Sequence, residues 1–225
     1  VLALGTAFDG VNTSHWSLPM GDTLIHVTPD RELVDRSYEA DIAILDDITA
    51  AGDAILEGLA DRDSPSGRWD GARVGAAVRE EYLDHLHDLG LFAGSRPANT
   101  PESLLAIHDG IPDDTIVATD VGGFRLWAKQ VFEAPAPEQY ITAGSWAGMG
   151  VGLPAAIGAK LARPDDPVVC LHGDGGLMMC IHELHTAAEE NLDFTTIVFD
   201  NRDYGIISKS PKIREYTEGH EFTWG

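Results

Sequence analysis

Short apolar runs, each closed by a glycine-bearing turn, alternate along this chain with stretches in which apolar residues recur every three or four positions. The clearest case begins at Val168 to Leu171, an apolar run that ends in Gly173-Asp174-Gly175-Gly176 and reads as a buried strand entering a tight turn. Leu177, Ile181, Leu184, Ala188 and Leu192 then recur at helical spacing, with Asn191 as the stop, and Phe194 to Phe199 supplies a second apolar, β-branched run. Strand, helix and strand in that order form a βαβ unit. Its right-handed crossover makes the two strands parallel neighbours, so Asp174 and Asn201, 27 residues apart, emerge together at their carboxyl ends.

The same patterning predicts strands at Val1 to Gly5, Leu24 to Val27, Ile42 to Leu45 and Thr115 to Thr119, an amphipathic helix over Ala72 to Leu89 and a helix over Glu102 to Asp109. Polar, Gly- and Pro-bearing stretches at Asp61 to Gly71 and Ser95 to Pro101 read as connectors. The expected organisation is α/β with parallel sheets, divided as residues 1–60, a linker and helix over 61–95, and a larger domain over 96–225.

A carboxylate from Asp174, an amide oxygen from Asn201 and a backbone carbonyl from the loop that follows make a hard, all-oxygen half-shell suited to Mg²⁺ or Ca²⁺. Phosphate oxygens and water would complete the octahedron that Mg²⁺ prefers. The glycines let backbone N–H groups approach the same phosphates, and the helix opening near Leu177 adds its positive end. Read from the residues alone, this is a metal-diphosphate site.

Other patterns compete less well. Gly150-Val151-Gly152-Leu153-Pro154-Ala155 fits the relaxed dinucleotide fingerprint, but no strand clearly precedes it and Pro154 suits the first turn of an ordinary helix. His182-Glu183-Leu184-His185 is one residue short of the i, i+4 pair that chelates zinc on a helix. His172 is placed either to meet a substrate or to serve as a satisfied structural histidine, and both readings stand at this point. Met178 and Met179 are expected in the core, as are Cys170 and Cys180, two reduced thiols at no redox or metal spacing.

The Gly-Asp-Gly turn followed 27 residues later by Asn resembles the motif of the thiamine-diphosphate-dependent 2-oxo-acid enzymes, the family that includes acetolactate synthase and benzoylformate decarboxylase. Gly148 to Ala159, GMGVGLPAAIGA, resembles the segment that holds the aminopyrimidine there, and Asp120 to Gly122 resembles the loop that approaches the diphosphate. The resemblance implies a doubly wound parallel sheet over 96–225, preceded by the end of a Rossmann-like middle domain. It implies that Asp174, Asn201 and the carbonyl of Asp203 hold Mg²⁺. It places Val121, Gly122, Gly173, Gly175, Gly176, Tyr204 and Gly205 against thiamine diphosphate, with Ala147 and Met149 at the pyrimidine.

No acid or base of the chemical step is implied here, because the activating glutamate of the family belongs to a pyrimidine domain with no counterpart in these residues. The chain reads as an internal piece of a longer enzyme that begins mid-domain and stops soon after the metal loop, and that is inactive by itself. The implied activity is decarboxylation of a 2-oxo acid such as pyruvate with carboligation, as in acetolactate synthase and branched-chain amino acid biosynthesis. Simple decarboxylation of the benzoylformate or indolepyruvate type, and a non-catalytic cofactor-binding fragment, are the alternatives. Implied partners are a second copy in a homodimer or larger homo-oligomer and a regulatory small subunit.

Departures from the family pattern accompany these matches. Gly123, Phe124 and Arg125 stand where acetolactate synthases carry Gln-His-Gln, and Ile206 to Lys209 where an Arg-Gln-Trp stretch sets acceptor choice. Ala7 and Thr28 replace flavin-contacting residues, so the resemblance does not extend to FAD.

Charge adds a further expectation: 37 acidic residues face 15 basic ones, a net charge of −22. Repulsion of that size destabilises a compact state in dilute salt and is relieved at molar salt, where the Debye length is about 3 Å. A halophilic, cytoplasmic setting is the reading, without nucleic acid, whose phosphates the chain would repel, and without a membrane, since no apolar run is long enough to span one.

Overall fold

A computed structural model describes residues 1–10, 12–62, 70–91, 99–144 and 146–216; connector residues 63–69 and 95–98 lie outside the described residues. The chain forms two compact units, Val1–Asp70 and Gly71–Gly225.

In the first unit, β1 (Leu2–Leu4), β2 (Ile25–Thr28) and β3 (Ile42–Leu45) make a parallel sheet in that order, close to the strands the apolar runs predict. Helix α1 (Ile48–Leu59) follows directly, started by Asp47, whose carboxylate accepts from Thr49 N and Ala50 N at 2.9 and 3.1 Å. Ala3, Phe8 and Leu24 form the core, and the buried His26 ring meets Phe8 edge-on with centroids 4.9 Å apart.

The second unit begins with α2 (Gly71–Asp88) and α3 (Thr100–Gly110), the latter capped by Asn99, which accepts from Glu102 N at 3.0 Å. Then come β4 (Ile116–Thr119), α4 (Gly123–Val131), β5 (Tyr140–Thr142), α5 (Gly152–Ala162) and β6 (Val168–Gly173). The unit closes with α6 (Asp174–Cys180), α7 (Glu183–Glu189), β7 (Thr195–Phe199), α8 (Gly205–Ser208) and α9 (Pro211–Tyr216). Arg79 of α2 donates to Val131 O at 2.8 Å and pairs with Glu133, which ties α2 to the end of α4.

All four strands are parallel, in the order β5-β4-β6-β7. Side chains alternate between two buried faces, which explains why β4 and β6 read as continuous apolar runs. Val117, Val169 and Leu171 pack with Leu104 of α3 and with Phe124 and Ala128 of α4. Ile116, Ala118, Val168 and Cys170 pack with Ala156 and Ala159 of α5. Helices on both faces make the sheet doubly wound. The chain leaves β4 toward β5 on one side and reaches β6 on the other, so the carboxyl ends of β4 and β6 flank a topological switch point, where such sheets bind ligands.

Three expectations are corrected. Strand β5, paired with β4, stands ahead of the Gly150–Ala155 segment, where the sequence reading has no strand. The single helix predicted after the Gly-Asp-Gly turn is broken into α6 and α7, because Leu184 N and His185 N bond back three residues, to Ile181 O and His182 O, rather than four. Asn191 does end the pair: at φ 52° its N–H bonds Ala188 O while Leu192 N bonds Ala187 O, a Schellman closure. Met178 and Met179 are not core residues; they are 65% and 50% exposed, on the side of α6 turned away from Leu153 and Ile157.

Candidate functional site

Asp174 opens α6 at the carboxyl end of β6, and its carboxylate organises the loop beyond the neighbouring strand. Oδ1 accepts from Gly175 N at 2.9 Å, and Oδ2 accepts from Arg202 N at 2.7 Å. That second bond holds the segment after β7 against the start of α6, so Asn201 and Asp203 lie beside the Gly-Asp-Gly turn, as the spacing predicts. Asp200 accepts from the same Arg202 N at 3.0 Å. The side chain of Asp203 is engaged through Oδ2 with the Ser208 hydroxyl, while its Oδ1 is buried without a partner.

The residues fit a hard divalent cation. Among the described residues, no three His, Cys, Asp or Glu side chains gather as a metal cluster. A site here therefore draws on mixed oxygen donors: one carboxylate, one amide and one main-chain carbonyl, a set suited to Mg²⁺ that leaves positions for phosphate oxygens and water. The orphaned Asp203 Oδ1 beside this loop is a buried acceptor that a hydrated ion would satisfy.

Glycines in these turns allow close packing. A Cβ at Gly122 would collide with the Phe124 ring, and one at Gly205 would stand 2.9 Å from Asn201 Nδ2. Phe124 itself is buried and stacks on Phe199 with centroids 5.1 Å apart and planes 6° from parallel. The residue in place of a polar family position has thus become the floor beneath Gly122 and Gly173. Arg125, one position later, turns away to donate to Ala143 O at 2.6 Å.

Asp120 sits at the end of β4, fully buried, with its carboxylate accepting from Gly150 N at 3.1 Å, Val151 N at 3.0 Å and Gly152 N at 3.3 Å. His172, also fully buried, brings Nδ1 to 3.1 Å from Asp120 Oδ2, at an angle outside hydrogen-bond geometry. Burial pushes the Asp120 carboxyl up, but His172 and the N–H groups of Gly150 and Val121 outweigh it and hold the carboxyl below its ordinary value. Burial, with the Asp120 charge adding to it, pushes the Cys170 thiol up to about 12, which keeps it a neutral core group.

The loop that supplies those N–H groups carries Ala147, in the left-handed region at φ 51°, and Met149, which is exposed, as is Trp146. Left-handed geometry at a non-glycine residue is strained and recurs at ligand-contacting loops.

At the carboxyl edge of the sheet the structure thus gathers Val121 and Gly122 after β4, Gly173 to Gly176 after β6, and Asn201 to Gly205 after β7. Ala147 and Met149 join through the loop bonded to Asp120. His172 is fully buried, which removes it from solvent, but neither ring nitrogen has a hydrogen-bond partner among the described residues, so it is not the satisfied structural histidine of the sequence reading; His182 and His185 are exposed. What sequence reasoning missed is the buried Asp120–His172 pair; the available signal was the polar residue at the end of each of two apolar runs. A cleft of about 440 Å³ lined by Phe8, Asp9, Gly10, Trp16, Arg36 and Ser37 belongs to the first unit and holds none of these groups.

Comparison with known proteins agrees with this geometry. Residues 120–223 match the thiamine pyrophosphate enzyme C-terminal TPP-binding domain. The chain is 32% identical over 211 residues to the acetolactate synthase isozyme 2 large subunit of Escherichia coli, a match covering 92% of this chain and 36% of that protein. A probable acetolactate synthase large subunit from Methanococcus aeolicus is 40% identical over 114 residues, covering 50% of this chain and 19% of its own length. The chloroplastic acetolactate synthase 1 of Nicotiana tabacum is 29% identical over 209 residues, 92% of this chain and 31% of that protein. The chain spans about a third of the length of such full-length relatives.

Proposed function

Because the chain belongs to the thiamine-diphosphate-dependent enzyme family, we propose that it supplies the diphosphate-binding half of an enzyme that decarboxylates a 2-oxo acid such as pyruvate and joins the remainder to a second 2-oxo acid. The observation that carries this reading is the Asp174 carboxylate bonded across to Arg202 N at 2.7 Å, which ties the loop bearing Asn201 and Asp203 to the Gly-Asp-Gly turn at the carboxyl ends of β6 and β7.

In this account Asp174, Asn201 and the carbonyl of Asp203 bind Mg²⁺, and Gly175, Gly176 and Gly205, with Val121, Gly122, Gly173 and Tyr204 around them, seat the diphosphate. Ala147 and Met149 support the pyrimidine end. When bound, thiamine diphosphate supplies a thiazolium carbon that adds to the substrate carbonyl and holds the electrons released as CO₂ leaves. The residues of this chain bind and orient; the positively polarised start of α6 and the divalent ion offset the diphosphate charge.

Acetolactate synthase relatives at 27–40% identity support carboligation over simple decarboxylation. A homo-oligomer that completes the site, a regulatory small subunit, and a halophilic, cytoplasmic setting belong to the same proposal. FAD does not, since Ala7 and Thr28 offer neither of the expected flavin contacts. The test is to incubate the full-length protein with pyruvate, thiamine diphosphate and Mg²⁺ at high salt and identify products by mass spectrometry. Acetolactate is the expected product; acetaldehyde alone would replace the synthase reading with the decarboxylase one.

A further inference from the structure

The two segments assigned to opposite ends of the cofactor do not meet by chance of folding; they are fastened to one buried carboxylate. Asp120 accepts three N–H bonds from Gly150, Val151 and Gly152, which form the exit of the pyrimidine-side loop and the start of α5. On its other side the carboxylate lies directly against Gly176 of the diphosphate-side helix, where an added Cβ would collide with Oδ2. His172 backs the carboxylate from β6 and also fills the space at Gly152, where a Cβ would stand 2.8 Å from its Nε2. The two segments touch as well, since a Cβ at Gly150 would meet Met179 Cβ at 3.3 Å and Gly176 O at 3.7 Å. The two side chains at its centre, Asp120 and His172, are fully buried, and Gly150, Gly152 and Gly176 approach because each lacks a side chain.

From this geometry we infer that Asp120 and His172 are positioning residues that latch the Ala147–Gly152 segment to the Asp174–Gly176 turn, so that seating the diphosphate preorganises the pyrimidine end. A carboxylate sharing several backbone donors has one arrangement in which all are satisfied, so moving the Gly150–Gly152 segment leaves it unpaired, whereas the Asp174–Gly176 turn is held by close packing of Gly176 against Oδ2. Neither residue touches the reacting atoms. Their role is to couple two halves of one ligand site, and coupling of this kind typically amounts to a 5- to 150-fold effect on affinity.

The inference rests on the cofactor reading, so its test has one arm that needs no cofactor. In the full-length protein, amide hydrogen exchange would be compared between wild type, Asp120→Asn and His172→Gln. In the variants, exchange is expected to rise together in segments 147–152 and 174–180 while β4 and β6 stay protected. In the second arm, calorimetry measures Mg²⁺–thiamine diphosphate, which spans both ends, and Mg²⁺–pyrophosphate, which occupies one. Asp120→Asn should weaken the first on the order of tenfold and the second by no more than about threefold, with His172→Gln in the same direction and smaller.

Exchange rising in one segment only, or across the whole sheet, would overturn the latch. So would unchanged thiamine diphosphate affinity, or an equal loss for both ligands. Wild-type protein that binds neither ligand would instead remove the cofactor reading, and the exchange arm would still decide the latch.

Discussion

At the scale of single residues, the site depends on acids with different tasks. Asp174 reaches outward across two loops, whereas Asp120 is sealed inside and spends its charge on backbone N–H groups. This difference predicts a pH signature. Asp120 is held below its ordinary value in the folded state, so the unfolded chain binds its proton more readily. Its contribution to stability is therefore complete above the unfolded carboxyl value of about 3.9 and is lost as pH falls through the lower folded value. Urea unfolding of wild type and Asp120→Asn should show a stability gap that is constant near neutrality and narrows in acid; a gap independent of pH would contradict the assignment. That Asp174 and Asn201 emerge at neighbouring strand ends was legible in the sequence because a βαβ unit fixes where its two strand ends lie. The Asp120–His172 pair was not, because it joins distant residues through strand register, with Thr119 opposite Leu171.

Among the elements, the strands other than β5 were read to within two residues, since four of them are apolar runs closed by a turn, whereas β5, three residues long, carries too short a pattern to register. The break between α6 and α7 escaped because apolar spacing continues through Ile181 and Leu184 while only the hydrogen-bond step changes. The exposure of Met178 and Met179 escaped because periodicity names the apolar positions of a helix and not what covers them. Phe124 is the residue of α4 on which the neighbouring turn depends. Its ring fills the space under Gly122 and stacks on Phe199 of β7, so Phe124→Ala should cost about 3–5 kcal/mol by opening a cavity. Chemical denaturation would check this; a loss under about 1 kcal/mol would mean that the stack does not support the sheet edge.

For the molecule as a whole, the charge balance and the site pull in different directions. Under the proposed function, a net charge of −22 would repel a diphosphate at long range, and the local N–H groups with a bound divalent ion would have to overcome it. Salt screens the long-range repulsion far more than the buried contacts, so both stability and diphosphate affinity should improve from dilute to molar KCl. A thermal melt that does not shift upward with KCl would leave the acidity without this role. Fold class followed from sequence because alternating strands and helices admit few topologies. The division into units was less accessible, because α2 belongs with the second unit through tertiary contacts such as Arg79 to Val131, which no local pattern announces.

The central claim is that Asp174 anchors a divalent ion that carries the diphosphate of the cofactor, and calorimetric titration of thiamine diphosphate into the full-length protein tests it most directly. With Mg²⁺ present the wild type should bind, and chelating the metal should abolish binding. Asp174→Ala, which removes the one charged ligand, should weaken it by at least about a hundredfold even with Mg²⁺, in keeping with the several kcal/mol that a charged metal ligand contributes. Metal-independent binding, or a variant that binds as tightly as the wild type, would contradict the account.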